Sequence, residues 1–353
     1  MRTIFLNHME KNRLHFIDNG KVITIYLVVL GHTPVPLLLH NFIFSFIIPV
    51  FFLISGMLFS FEKHPDYLSF LKHRSKQLLI PYLSFNIITY LFWLFIGRKY
   101  GDDATLNIPL YKPLIGIAYG NGINYYLQHC TPIWFIACLF SVENIYYLIF
   151  RKIKRKYFVL ILFLIIGYAD YYFQLPRLPW GINIALTAII FYGSGNILKR
   201  FFSQQLNNSL FVLTCGAVLF LSITLYINYL NGSVDMNNRI YGNYFYFIAG
   251  GFSGTFVILC LSKILEGLFL KIALVEYIAK NTIFIIAFQG ISGSFVKGIT
   301  YFILKYPLSI YQDKIFINVV FSFISLLLII PVIYFVDNYM PYLVGRTKPV
   351  KIQ

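Results

Sequence analysis

IDNGKVITIYLVVLGH, Ile17 to His32, opens with two charges, Asp18 and Lys21, continues as an apolar run and ends on a single histidine before Thr33-Pro34. Read as an α-helix, the stretch from Lys21 to His32 turns about three times plus roughly 20° and climbs roughly 16 Å. Lys21 and His32 therefore share one helix face, the ammonium at one end and the imidazole deep in apolar surroundings. Asp18 sits one turn before Lys21, where an Asp–Lys pair forms readily.

The surrounding composition says what kind of helix this is. Of 353 residues, 58% are hydrophobic and 12% are charged, too few to clothe a soluble protein of this length. Apolar runs of about 20 residues recur along the chain, the length that crosses a bilayer. The reading is an all-α, polytopic membrane protein with about ten transmembrane helices. The spans fall near 20–35, 42–60, 77–96, 131–150, 157–174, 179–198, 209–229, 243–262, 278–296 and 316–337. No polar stretch is long enough for a separate soluble domain, so residues 1–353 read as a single membrane domain. The mixed, polar N-terminal segment shows no cleavable signal pattern.

The net charge of +16 does not call for nucleic acid, because basic residues gather beside membrane spans on the cytoplasmic side. With the N-terminus inside, 20 of the 29 Lys and Arg residues fall in inner segments and 8 in outer ones, which puts both termini in the cytoplasm. Cys130, Cys138, Cys215 and Cys260 lack metal-ligand spacing and read as small apolar residues; no metal is expected. The longest connection, 97–130, is aromatic and Gly-rich, and suits either a surface loop or a cap over a cavity.

Ionisable groups at bilayer depth are costly and mark function by default. Glu143 is the one acid these spans place well inside, and His32 the one deep histidine. An imidazole can take a proton from a hydroxyl near neutral pH or serve as a hydrogen-bonded structural group. Glu143 can orient that imidazole or pair with another helix. In the second span, FSFIIPVFFLISGMLFS, Pro49 predicts a kink, and Ser55-Gly56 allows close helix approach. Before the third span, Lys72, Arg74 and Lys76 form a basic cluster, either an inner-face anchor or a site for a phosphate-bearing ligand.

These residues resemble the integral-membrane acyltransferase-3 family, whose members O-acetylate bacterial surface polysaccharides and related glycans. The family's opening motif is an Arg, sometimes Lys, then ten residues and the catalytic His; here Lys21 and His32 match it, with Asp18 at the usual acid. Pro49, Phe51, Phe52, Ser55 and Gly56 match its Pro-x-Phe-Phe-x-x-Ser-Gly signature. RSKQLLIPY resembles its basic motif, and Trp134-Phe135 its Trp-Phe motif. IFYGSGNIL and VEYIAKNTIFIIAFQG are similar to later signatures, in the manner of the fucose 4-O-acetylase branch. There are three departures: Lys21 offers a point charge where Arg would grip bidentately, Gln77 stands where a second Arg is common, and Gln289 where a His is common.

The resemblance implies acetyl-CoA as acyl donor, entering from the cytoplasm, with Lys21, Lys72, Arg74, Lys76 and Ser55 on the donor side. It implies a bacterial inner-membrane enzyme whose partners are acyl-CoA, a glycan or lipid-linked glycan and the bilayer. His32 is then general base on a sugar hydroxyl, or itself carries the acyl group, with Glu143 holding the imidazole and Asp18 fixing Lys21. Trp134, Tyr125 and Tyr126 can stack on sugar rings or anchor at the interface. The competing class is a transporter or flippase of a lipid-linked sugar or small metabolite. Acyl-CoA binding separates the two.

Overall fold

Proline chemistry sets the limits of the first helix. In the computed structural model, which describes residues 15–101, 103–268 and 272–346, α1 runs His15–Gly31. It begins five residues before the expected span and stops at Gly31, because Pro34 supplies no N–H and restricts Thr33. His32 therefore lies in the turn after α1 rather than deep within a span. Thr33 caps the helix end, its hydroxyl donating to the Leu30 carbonyl at 2.7 Å. The Pro34 carbonyl accepts from the Asp313 N–H at 3.0 Å and from Asn318 Nδ2 at 3.2 Å, so the turn is tied to distant parts of the chain.

Among the described residues, nine helices are long and apolar enough to cross a membrane: α2 Leu37–Leu58, α3 Tyr67–Tyr100, α4 Gln128–Phe150, α5 Lys156–Phe173, α6 Pro179–Gln205, α7 Leu210–Asn231, α8 Tyr244–Gly267, α9 Thr282–Ile303 and α10 Ile315–Tyr339. The first of the ten stretches expected from sequence is the exception: α1, at 17 residues, is not among these nine. The chain is an all-α, multi-pass membrane protein. The residues outside the description include Arg2, His8, Lys11, Arg13, Lys271, Lys348 and Lys351, all used in the charge and histidine assignments above.

Burial sorts the helices. The apolar window of α6 is 78% buried and that of α4 72%, against 17% for α7 and 22% for α5. The first pair forms the protein interior, and the second pair leaves most of its apolar surface for lipid. α1 packs against α2, α8, α9 and α10 and is the hub of its side of the bundle.

The second helix bends where its proline dictates. Pro49 cannot donate and crowds the carbonyl four residues earlier; the helix is interrupted at Ser45–Phe46 and resumes at Ile47. Gly56 then crosses α6 at backbone contact: a Cβ there would lie 1.8 Å from the Tyr192 carbonyl oxygen, and one at Gly195 would lie 2.1 Å from that of Leu53. Asn196 seals the crossing, donating from Nδ2 to the carbonyls of Gly56 at 3.1 Å and Phe59 at 2.8 Å, while its Oδ1 accepts from Tyr146 at 2.9 Å. The Ser-Gly and Gly-Ser-Gly-Asn stretches are thus two halves of one helix contact.

Candidate active site

The turn after α1 presents His32 to two cavities. A smaller one, about 50 Å³, lies between His32, Phe44, Phe51, Trp134 and the connection between α7 and α8 at Asp235–Asn237. A larger one, about 330 Å³, lies between His32, the end of α3 at Trp93 and Gly97, the 128–132 segment and α9 at Gln289 and Gly290. The imidazole keeps exposed surface, and it does so into these cavities. Its Nδ1–H donates to the Val28 carbonyl at 2.8 Å. That bond fixes the tautomer and leaves the Nε2 lone pair as the site that can take a proton.

The connection between α7 and α8 is held by buried charge. Arg239 donates from Nη1 to both oxygens of Asp170 on α5 at 2.9 Å and from Nη2 to the Leu175 carbonyl at 2.9 Å. Asn183 adds a bond to Asp170 at 2.5 Å, and Arg177 donates to the Asn237 and Asn238 carbonyls at 2.7 and 2.6 Å. This lattice holds Asp235 against the smaller cavity, where its half-buried carboxylate accepts from Asn238. The start of the long connection between α3 and α4 lines the larger cavity: Asp103 accepts from Trp93 Nε1 at 2.8 Å and from Gln128 Nε2 at 2.9 Å.

Glu143 belongs to another place. Arg74 donates from Nε and Nη2 to its two oxygens at 2.5 Å each, and from Nη1 to Gln77. Glu143 follows Trp134 on α4 by roughly 13 Å of helix rise, so the carboxylate lies toward the opposite end of the bundle from His32. The group that orients His32 is the Val28 carbonyl, and the acid that shares its smaller cavity is Asp235. Lys72, Lys76 and Gln77 are exposed on the same stretch of α3, where a single π-helical turn, Ser75–Leu79, follows Arg74. Burial, then the neighbouring His73, Arg74 and Lys63, pushes the His64 imidazole below its ordinary value, so the positive charge of this face at neutral pH comes from its Lys and Arg residues.

The remaining expected residues divide. Lys21 is half-buried on α1, roughly 16 Å of helix rise before His32, and Asp18 is buried one turn earlier. Ser55 is half-buried beside Gly56, and Pro49 is buried at the break in α2. Trp134 is buried and lines the smaller cavity. Tyr125 and Tyr126 line neither cavity: Tyr125, at φ 65°, is exposed with the Lys112 ammonium 5.4 Å from its ring centre, and Tyr126 meets Tyr119 with ring centres 6.0 Å apart. Sequence reasoning passed over Asp235, Asp103 and the pinning pair Asp170–Arg239. Each is polar and near a span end, and only long-range packing gives it a role.

The acyltransferase-3 family model, described as an acyltransferase domain, matches residues 14–337. Neither a curated protein nor a solved structure matches the chain.

Proposed function

Since the chain belongs to the acyltransferase-3 family, and is therefore a membrane acyltransferase, we propose that it moves an acetyl group from cytoplasmic acetyl-CoA to a sugar hydroxyl of a surface glycan or its lipid-linked precursor, in a bacterial inner membrane. The observation that carries this reading is His32: one ring nitrogen is tied to its own helix, and the other is left for chemistry at the junction of two cavities.

Lys72 and Lys76, exposed on α3, and Lys21 on α1 attract the donor's phosphates, with Arg74 contributing the donors that Glu143 and Gln77 do not use. The pantetheine arm follows the α1 face from Lys21, past Ser55, and brings the thioester to His32. The acceptor hydroxyl enters the larger cavity. His32 Nε2 takes its proton, and the oxygen attacks the thioester carbonyl. The C–S bond breaks, CoA leaves as thiolate and is protonated, and the acetyl ester remains on the sugar. Asp235 stabilises the imidazolium formed in that step. Trp134 provides an apolar wall beside the reacting atoms.

The test is transfer of label from radiolabelled acetyl-CoA in membranes of a host that supplies its own lipid-linked glycans. Wild-type membranes label glycan, and membranes carrying folded His32→Ala do not. Equal labelling by both removes His32 from catalysis. A wild-type protein that neither labels glycan nor binds acetyl-CoA returns the chain to the transporter class.

A further inference from the structure

Resting on that reading, the larger cavity contains polar groups whose hydrogen bonds the protein leaves unmade. Gln289, on α9, is 6% exposed and lines the cavity shared with His32. Among the described residues, neither its amide oxygen nor its amide nitrogen has a hydrogen-bond partner. His129 lines the same cavity. Its Nε2 meets Asn86 Oδ1 at 2.9 Å, and Asn86 is itself held by its Nδ2 donating to the Tyr82 carbonyl at 2.8 Å. His129 therefore spends its N–H on Asn86 and keeps an Nδ1 lone pair, which is buried and without a partner among the described residues. Buried polar atoms are nearly always satisfied, and leaving one unpaired costs about 1–3 kcal/mol. Asn318, on α10, lines the cavity too, and its Oδ1 is likewise buried without a partner among the described residues. Four such atoms around one cavity point to a ligand that supplies the missing bonds.

We propose that Gln289 and His129 hold the hydroxyls flanking the one that is acylated, and so select a neutral, polyhydroxylated acceptor. The unmade bonds are three acceptors, Gln289 Oε1, His129 Nδ1 and Asn318 Oδ1, and one donor, Gln289 Nε2. A sugar hydroxyl both donates and accepts and satisfies either kind. A carboxylate has no proton to give the three acceptors, and the charged groups that line the cavity, Asp103 and Lys297, are of opposite sign and call for no net charge on the ligand.

Gln289→Met, similar in size but with no hydrogen-bonding amide, separates this role from a structural one. The experiment compares wild type, Gln289→Met and Gln289→His in membranes containing the host's lipid-linked glycans, with radiolabelled acetyl-CoA. Melting temperature and acetyl-CoA binding are measured on the purified proteins. Losing both ligand hydrogen bonds of Gln289 lowers glycan labelling by about tenfold or more. Acetyl-CoA affinity stays at the wild-type value, and the melting temperature holds or rises because an unsatisfied amide has been removed. Gln289→His, which restores one donor and one acceptor, recovers much of the labelling. Wild-type labelling by Gln289→Met overturns the proposal, as does a fall accompanied by a lower melting temperature or lost acetyl-CoA binding. A wild type that binds acetyl-CoA but labels no glycan overturns the acceptor class, and one that does neither removes the underlying reading with it.

Discussion

Arg74 and Glu143 form a two-pronged ion pair in which the carboxylate is 3% exposed and the guanidinium 21%. Neither ion is tolerated there alone, because desolvation is repaid only by the partner. Glu143→Leu is expected to cost about 3 kcal/mol, seen as a lower melting temperature, and the double variant Arg74→Leu/Glu143→Leu recovers most of it. A double variant as unstable as the single one would show that the pair is not the unit. The sequence marks Glu143 as expensive and therefore engaged, but not its partner. Partner choice depends on which face α4 turns toward α3, and no local pattern encodes that. The same difficulty explains why Glu143 was expected to hold the His32 imidazole, a task that falls to the Val28 carbonyl one helical turn away.

A helix crossing explains the most recognisable signature in the chain. Gly56 meets α6 so closely that a methyl group would stand 1.8 Å from the Tyr192 carbonyl oxygen, which is backbone and cannot swing aside. Gly56→Ala must part α2 from α6 and loosen the Asn196 bonds that seal them, at an expected cost of about 3 kcal/mol or more. The measurement is the melting temperature of the purified variant beside Asn196→Ala, which loses hydrogen bonds without a clash and is expected to fall less. If Gly56→Ala melts with the wild type, the crossing is not as close as described. Element positions were legible because each span is a long apolar run, and small residues announced the crossing. The start of α1 was not, since His15, Asp18 and Asn19 break the apolar pattern of its first turns. Nor was the Asp235 loop, whose place is set by Arg239 in the same connection pairing with Asp170 on α5.

At the scale of the whole molecule, the proposed reaction needs its two kinds of site at opposite ends of the bundle. His32 ends α1 beside the α7–α8 connection, while Lys72 and Lys76 lie on the first turns of α3, near the basic α4–α5 connection. A donor entering at the lysines and an acceptor entering the larger cavity then approach one imidazole from opposite faces. Ser233 and Lys152 are exposed in those two connections and report on it directly. In a Cys215→Ser background, which removes the exposed native thiol, a membrane-impermeant maleimide should label Ser233→Cys in intact cells and Lys152→Cys only after permeabilisation. The reverse pattern would put the basic cluster outside, away from cytoplasmic acyl-CoA, and would leave the His32 cavities facing the donor. Labelling of both positions in intact cells would mean that α5 to α7 do not cross as these helices require.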